Sequence, residues 1–99
     1  MLNIKTTKDG DALTITLEGR LDTITAPSLE NELNESLNGV TDLSFDLQDL
    51  QYISSAGLRV LLTAQKVMNR QGSMVVRNAS DDVKEIFDVT GFSDILTIE

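Results

Sequence analysis

The stretch from Ser55 to Gln71 predicts a helix with very little polar surface. Leu58, Val60, Leu61, Leu62, Ala64, Val67 and Met68 take up most of its circumference. Arg59, Thr63, Lys66 and Arg70 recur at intervals of four, three and four, which puts them on one narrow face. A helix this widely apolar must lie flat on a sheet, leaving the narrow stripe as its solvated side. That stripe is basic in a chain of net charge -8.

The rest of the chain supplies the sheet. Leu2, Ile4 and Thr6 alternate with polar neighbours and lead into Asp9-Gly10, a strong turn signal; Leu13, Ile15 and Leu17 alternate again beyond it. The pattern predicts a hairpin with one buried and one wet face, and its alternation stops at Gly19-Arg20-Leu21-Asp22-Thr23. Pro27, tolerated in a first helical turn, and Leu29, Leu33 and Leu37 at helical spacing predict a helix over Ala26 to Leu37, with Gly39 suited to be its C-terminal cap. Leu43, Phe45 and Leu47 predict a strand aimed at Ser54-Ser55, and Met74 to Val76 a short buried one. Ser80 is placed to cap a third helix with Asp81 and Asp82 in its first turn, Val83, Ile86 and Phe87 on its apolar face and Gly91 at its end. Phe92, Ile95, Leu96 and Ile98 form a last short element whose type the spacing does not decide.

Strands interleaved with helices imply right-handed crossovers and a partly parallel sheet. The expected fold is α/β, a mixed sheet of about four to five strands with helices mainly on one face, in a single domain over residues 1–99.

Composition removes whole classes of chemistry. Cysteine and histidine are absent, so disulfides, thiolate chemistry, the usual zinc sites and histidine general base catalysis are excluded. No phosphate-cradling glycine loop or dinucleotide fingerprint occurs. Asp9-Gly10-Asp11 lacks the remaining ligands of a calcium loop and reads as a turn. We therefore expect no enzyme, no metal and no cofactor. The acidic balance argues against a nucleic-acid backbone or anionic membrane surface as partner and favours a basic protein face. Met1 to Asp9 contains no apolar signal segment, no apolar run is long enough to span a bilayer, and the absence of cysteine fits a reducing cytoplasm.

One constellation remains. Tyr52-Ile53-Ser54-Ser55-Ala56-Gly57-Leu58 sets two hydroxyls where a strand ends and the apolar helix starts. Unpaired backbone N–H groups and the positive end of the helix dipole favour an anion there. A serine in that position most often caps the helix; a phosphorylated serine would make it a switch. Hydrolytic use of Ser55 would need an unusual lysine base.

Leu43 to Leu47, the loop through Tyr52, and Ser54-Ser55-Ala56-Gly57-Leu58 resemble the phosphorylation segment of bacterial anti-sigma factor antagonists, which are single STAS domains. Gly19-Arg20-Leu21-Asp22 followed by a helix is also similar to that family, and the resemblance spans essentially the whole chain. It implies phosphorylation at Ser55, with Ser54, standing where the family often has aspartate, as the alternative. It implies a partner-binding surface of Asp22, Thr23, Ser54, Ser55, Ala56, Gly57 and Arg59, with a new phosphate repelling charge beside Asp22 and Asp46 or Asp49. The partners implied are an anti-sigma factor serine kinase and a serine phosphatase. The same resemblance allows another role, a non-catalytic accessory subunit of a transport ATPase complex docked through Arg59, Lys66 and Arg70.

Overall fold

The hairpin forms as the alternation requires. In a computed structural model describing residues 1–99, β1 (Leu2–Asp9) runs antiparallel to β2 (Ala12–Leu21), from Leu2 opposite Gly19 to Asp9 opposite Ala12. Gly10 supplies the positive φ, +62°, that so short a turn demands. α1 (Ala26–Ser36) then crosses to β3 (Asp42–Ile53), α2 (Ser55–Gln71) to β4 (Ser73–Arg77), and α3 (Asp81–Thr90) precedes a 3₁₀ turn at Phe92–Asp94. The strands lie in the order β1-β2-β3-β4, with β2, β3 and β4 mutually parallel.

The tail that its spacing left undecided ends beside the sheet. Val76 donates its amide to Thr97 and accepts from Glu99, and Ile98 bridges Val76 in parallel fashion along the outer edge of β4. The sheet thus has four strands and one bridging residue.

Two strands run further than alternation suggests. β2 continues through Gly19 to Leu21, which keeps the parity of Leu13, Ile15 and Leu17, while β3 carries one extra residue opposite Thr16–Glu18 and another opposite Gly19–Arg20. Gly19 takes φ +101°, and a Cβ there would lie 2.1 Å from the carbonyl oxygen of Met1. β3 continues beyond Leu47 with Leu50 and Ile53 buried, an interval of three that hides the strand from a period-two reading.

The helices cover one face. Leu13, Ile15 and Leu17, Leu43, Phe45 and Leu47, and Met74 and Val76 point into it, and residues of all three helices join them in one cluster of 25 buried apolar side chains. Thr14, Thr16, Ser44 and Asp46 alternate onto the opposite, half-buried face. α2 buries Leu58, Leu61, Ala64 and Met68 in the core, while Arg59, Thr63, Lys66 and Arg70 stay exposed, as their spacing requires. Gln65 is the one buried polar residue of the helix; its amide donates to Asn69.

Candidate functional site

The site is the corner where β2 and β3 end side by side. Leu21 pairs with Ile53, and the Ser54 amide donates to the Leu21 carbonyl at 2.8 Å. The loop starting at Asp22 and the helix start at Ser54 are therefore held together by main chain.

The two serines divide the work. Ser54 has extended backbone, φ -96° and ψ 175°, and its hydroxyl accepts from the Gly57 amide at 3.3 Å. Its carbonyl accepts from Leu58 at 2.9 Å. Ser54 is the N-cap, a position where serine and aspartate serve about equally well. Ser55 is the first residue of α2; it is exposed, and its hydroxyl is not committed to the cap. With the amides of Gly57 and Leu58 occupied, those of Ser55 and Ala56 are the helix-start donors left for an anion.

Asp22 is built into its turn. Its Oδ1 accepts from the amides of Ile24 and Thr25, each at 3.0 Å, and lies 3.1 Å from the Thr25 hydroxyl, whose proton is shared with the Arg20 carbonyl at 2.9 Å. The Thr25 hydroxyl in turn accepts from the Asp22 amide. The Asp22 carboxyl is held below the ordinary aspartate value, foremost by the Thr25 amide. Partial desolvation opposes that effect; the Thr25 hydroxyl, the Ile24 amide and the Arg20 guanidinium, 4.0 Å from Oδ2, add to it. Asp22 is thus a fixed negative charge at the edge of the corner.

Between the starts of α1 and α2 lies an open hollow of about 170 Å³, bordered by Thr23, Ala26, Glu30, Ala56, Arg59 and Val60. Thr23 and Arg59 are exposed and Ala56 is half-buried. Of the expected surface residues, Asp22, Thr23, Ser54, Ser55, Ala56 and Arg59 reach this corner with some exposure. Gly57 does not; it is buried, and an added Cβ would meet Leu21 Cγ at 2.7 Å and Ile53 Cγ1 at 3.0 Å. Its part is to let α2 approach the strand ends.

Asp46 and Asp49 also fall outside the corner. At about 3.3 Å per residue, they stand roughly 23 and 13 Å before Ile53 along β3. Asp46 is moreover tied to the Gln48 amide and the Asn78 side chain, at the border with β4. Only Asp22 of the three is beside the serines.

Three residues outside the expected partner surface also stand here. Ile24 is 87% exposed, two residues beyond Asp22. The Arg20 guanidinium stands over the Tyr52 ring, 4.5 Å from its centroid. Arg20 and Tyr52 lie within the sequence motifs but not among the expected surface residues, and Ile24, which no motif includes, is an apolar residue outside any strand or helix period.

No three acidic side chains cluster as a metal site would need. No helix is long and apolar enough to cross a membrane. The STAS domain family model matches residues 3–99. The chain belongs to the STAS domain family. Among its relatives, the anti-sigma-B factor antagonist of Bacillus subtilis is 30% identical over 98% of this chain and 90% of that protein. An anti-sigma factor antagonist from Mycobacterium paratuberculosis has the same fold, with a TM-score of 0.89 at 17% identity over 99% of this STAS domain and 85% of that chain. So does the Bacillus cell fate determinant SpoIIAA in its phosphorylated form, with a TM-score of 0.76 at 16% identity over 98% of this domain and 91% of that chain.

Proposed function

We propose that this STAS domain is an anti-sigma factor antagonist that acts by partner switching at Ser55. Unmodified, the corner of Asp22, Thr23, Ser55, Ala56 and Arg59 binds an anti-sigma factor that is itself a serine kinase, which frees the sigma factor. Transfer of phosphate to Ser55 releases the antagonist, and a serine phosphatase resets it. The observation that carries this reading is the exposed Ser55 hydroxyl, left free by a neighbour that performs the cap. The chain is then a cytoplasmic binding module and not an enzyme.

The physics supports the reading. A phosphoserine carries nearly two negative charges near neutral pH, and here it would stand beside Asp22, whose charge its turn maintains. A loss of about 3 kcal/mol in complex stability weakens binding more than a hundredfold. Repulsion and steric exclusion at the corner can supply that loss while the helix start holds the phosphate.

The test is to incubate the purified chain with its kinase and ATP and to locate the phosphate by mass spectrometry. Modification at Ser55 is expected; Ser55→Ala keeps kinase binding without accepting phosphate, and Ser55→Asp binds weakly. Modification at Ser54 alone, or at neither serine, rejects the assignment. A second reading, a fixed accessory subunit of a transport ATPase complex, draws on the exposed stripe of Arg59, Lys66 and Arg70. Co-purification separates the two: a soluble kinase supports switching, a membrane transporter the accessory role.

A further inference from the structure

We propose that Arg59 is a built-in latch for the phosphate, folding back along α2 to bind phosphoserine 55 and withdrawing from the partner surface as it does so. The inference rests on the reading of Ser55 given above and adds a defined receiver for the new charge. Arg59 follows Ser55 by four residues in the same helix, so their Cβ atoms lie about 5–6 Å apart on one face. Helical side chains lean toward the N-terminus, which carries the guanidinium over the turn that Ser55 begins. An anion N-terminal to a cation at this spacing is the favourable order. A guanidinium fork also suits phosphate geometry better than a point charge does.

Arg59 is free for the task. The ion pairs of the chain are Arg20 with Asp22 and Arg77 with Glu99, so Arg59 has none, and α2 contains no acidic residue to hold it elsewhere. The groups facing it across the hollow are Glu30 of α1 and the Thr23 side chain. Glu30 is a weak competitor at most, since the two make no pair. Arg20, the other cation of the corner, is occupied by the Tyr52 ring and by Asp22. A phosphate at Ser55 therefore finds one uncommitted guanidinium within a helical turn. Closing that contact would draw the Arg59 side chain off the hollow beside Ala56, so that the unmodified and modified corners differ in available cation as well as in added anion.

Phosphoserine placed at position 55 of the full chain by genetic encoding tests the latch without any kinase. The probe is the ³¹P resonance of that phosphate, titrated between pH 4 and 8. Arg59→Gln is expected to raise the titration midpoint by about half a unit or more, because an adjacent cation favours the dianion. Arg59→Lys is expected to restore part of the shift, and Lys66→Gln and Arg20→Gln to leave the midpoint in place. An unchanged midpoint in Arg59→Gln, an equal rise in Lys66→Gln, or a rise in Arg20→Gln instead, would each overturn the latch. All three substituted positions are exposed, and matching circular dichroism spectra establish that the variants fold. The two proposals fail separately: a kinase that spares Ser55 rejects the switch and leaves this titration standing, whereas a flat titration rejects the latch and leaves Ser55 as the acceptor.

Discussion

Replacing Ser54 with alanine removes the oxygen that accepts from the Gly57 amide, whereas replacing Ser55 removes only an exposed hydroxyl. Urea unfolding should therefore separate the neighbours, with a loss of about 1 kcal/mol for Ser54→Ala and less than about 0.5 kcal/mol for Ser55→Ala. Equal losses would mean that the cap is shared. Which serine caps was not legible beforehand, because either residue suits an N-cap and the choice depends on where β3 ends. That end is set by Ile53, buried against the core, so the next residue must turn. Asp22 entered the sequence reading as a site residue only through the resemblance, and its part in holding the turn by hydrogen bonds to Ile24 and Thr25 emerges from the structure. The stacking of Arg20 on Tyr52 depends on a parallel register that no local pattern announces. The lowered Asp22 pKa gives a pH prediction. A carboxylate favoured in the folded state adds stability that is complete above its unfolded value, ~3.9, and is lost as pH falls through the lower folded value. Between pH 7 and pH 3, Asp22→Asn should consequently lose less stability than the parent chain. An identical acid profile in urea melts would show that the charge is not favoured by folding.

At the scale of elements, Gly57 is the point where α2 meets the strand ends. Alanine is the better helix former by about 1 kcal/mol, yet its Cβ would press on Leu21 Cγ at 2.7 Å, a branch point fixed in the core. Overpacking of this kind costs about 1–3 kcal/mol, so Gly57→Ala should be destabilising on balance and should shift the Ser55 and Ala56 amide resonances. A more stable Gly57→Ala protein with unmoved resonances would contradict that close approach. α1, α2 and α3 were legible to within a residue because each has a sustained apolar stripe, with serine caps on α2 and α3. α1 has no side-chain cap and closes at Leu37, before the Gly39 expected as its cap. The distal halves of β2 and β3 were not: Gly19 interrupts the apolar run of β2, and two extra residues break the period of two in β3 on which strand recognition depends. Both strands nevertheless run past Leu17 and Leu47 to the corner. The part of the fold hardest to see in the sequence is thus the part that positions the site.

Over the whole molecule, one core of 25 side chains joins every strand from β2 onward to all three helices. A domain of this size has only a few kcal/mol in reserve, and a rearrangement large enough to repack that core would threaten the native state itself. Phosphate at Ser55 should accordingly act where it lands. In amide correlation spectra, phosphoserine at 55 should move Asp22 to Thr25 and Ser54 to Val60 and leave β1, β4 and α3 in place; broad changes in α3 would instead mean a refolding switch. The chain has no tryptophan and a single tyrosine, and that ring stands in the corner itself, 37% exposed beneath Arg20. Its native ultraviolet emission therefore reports from one place alone, and docking at the serines can be followed by optical titration with no dye attached, provided the partner is spectrally silent.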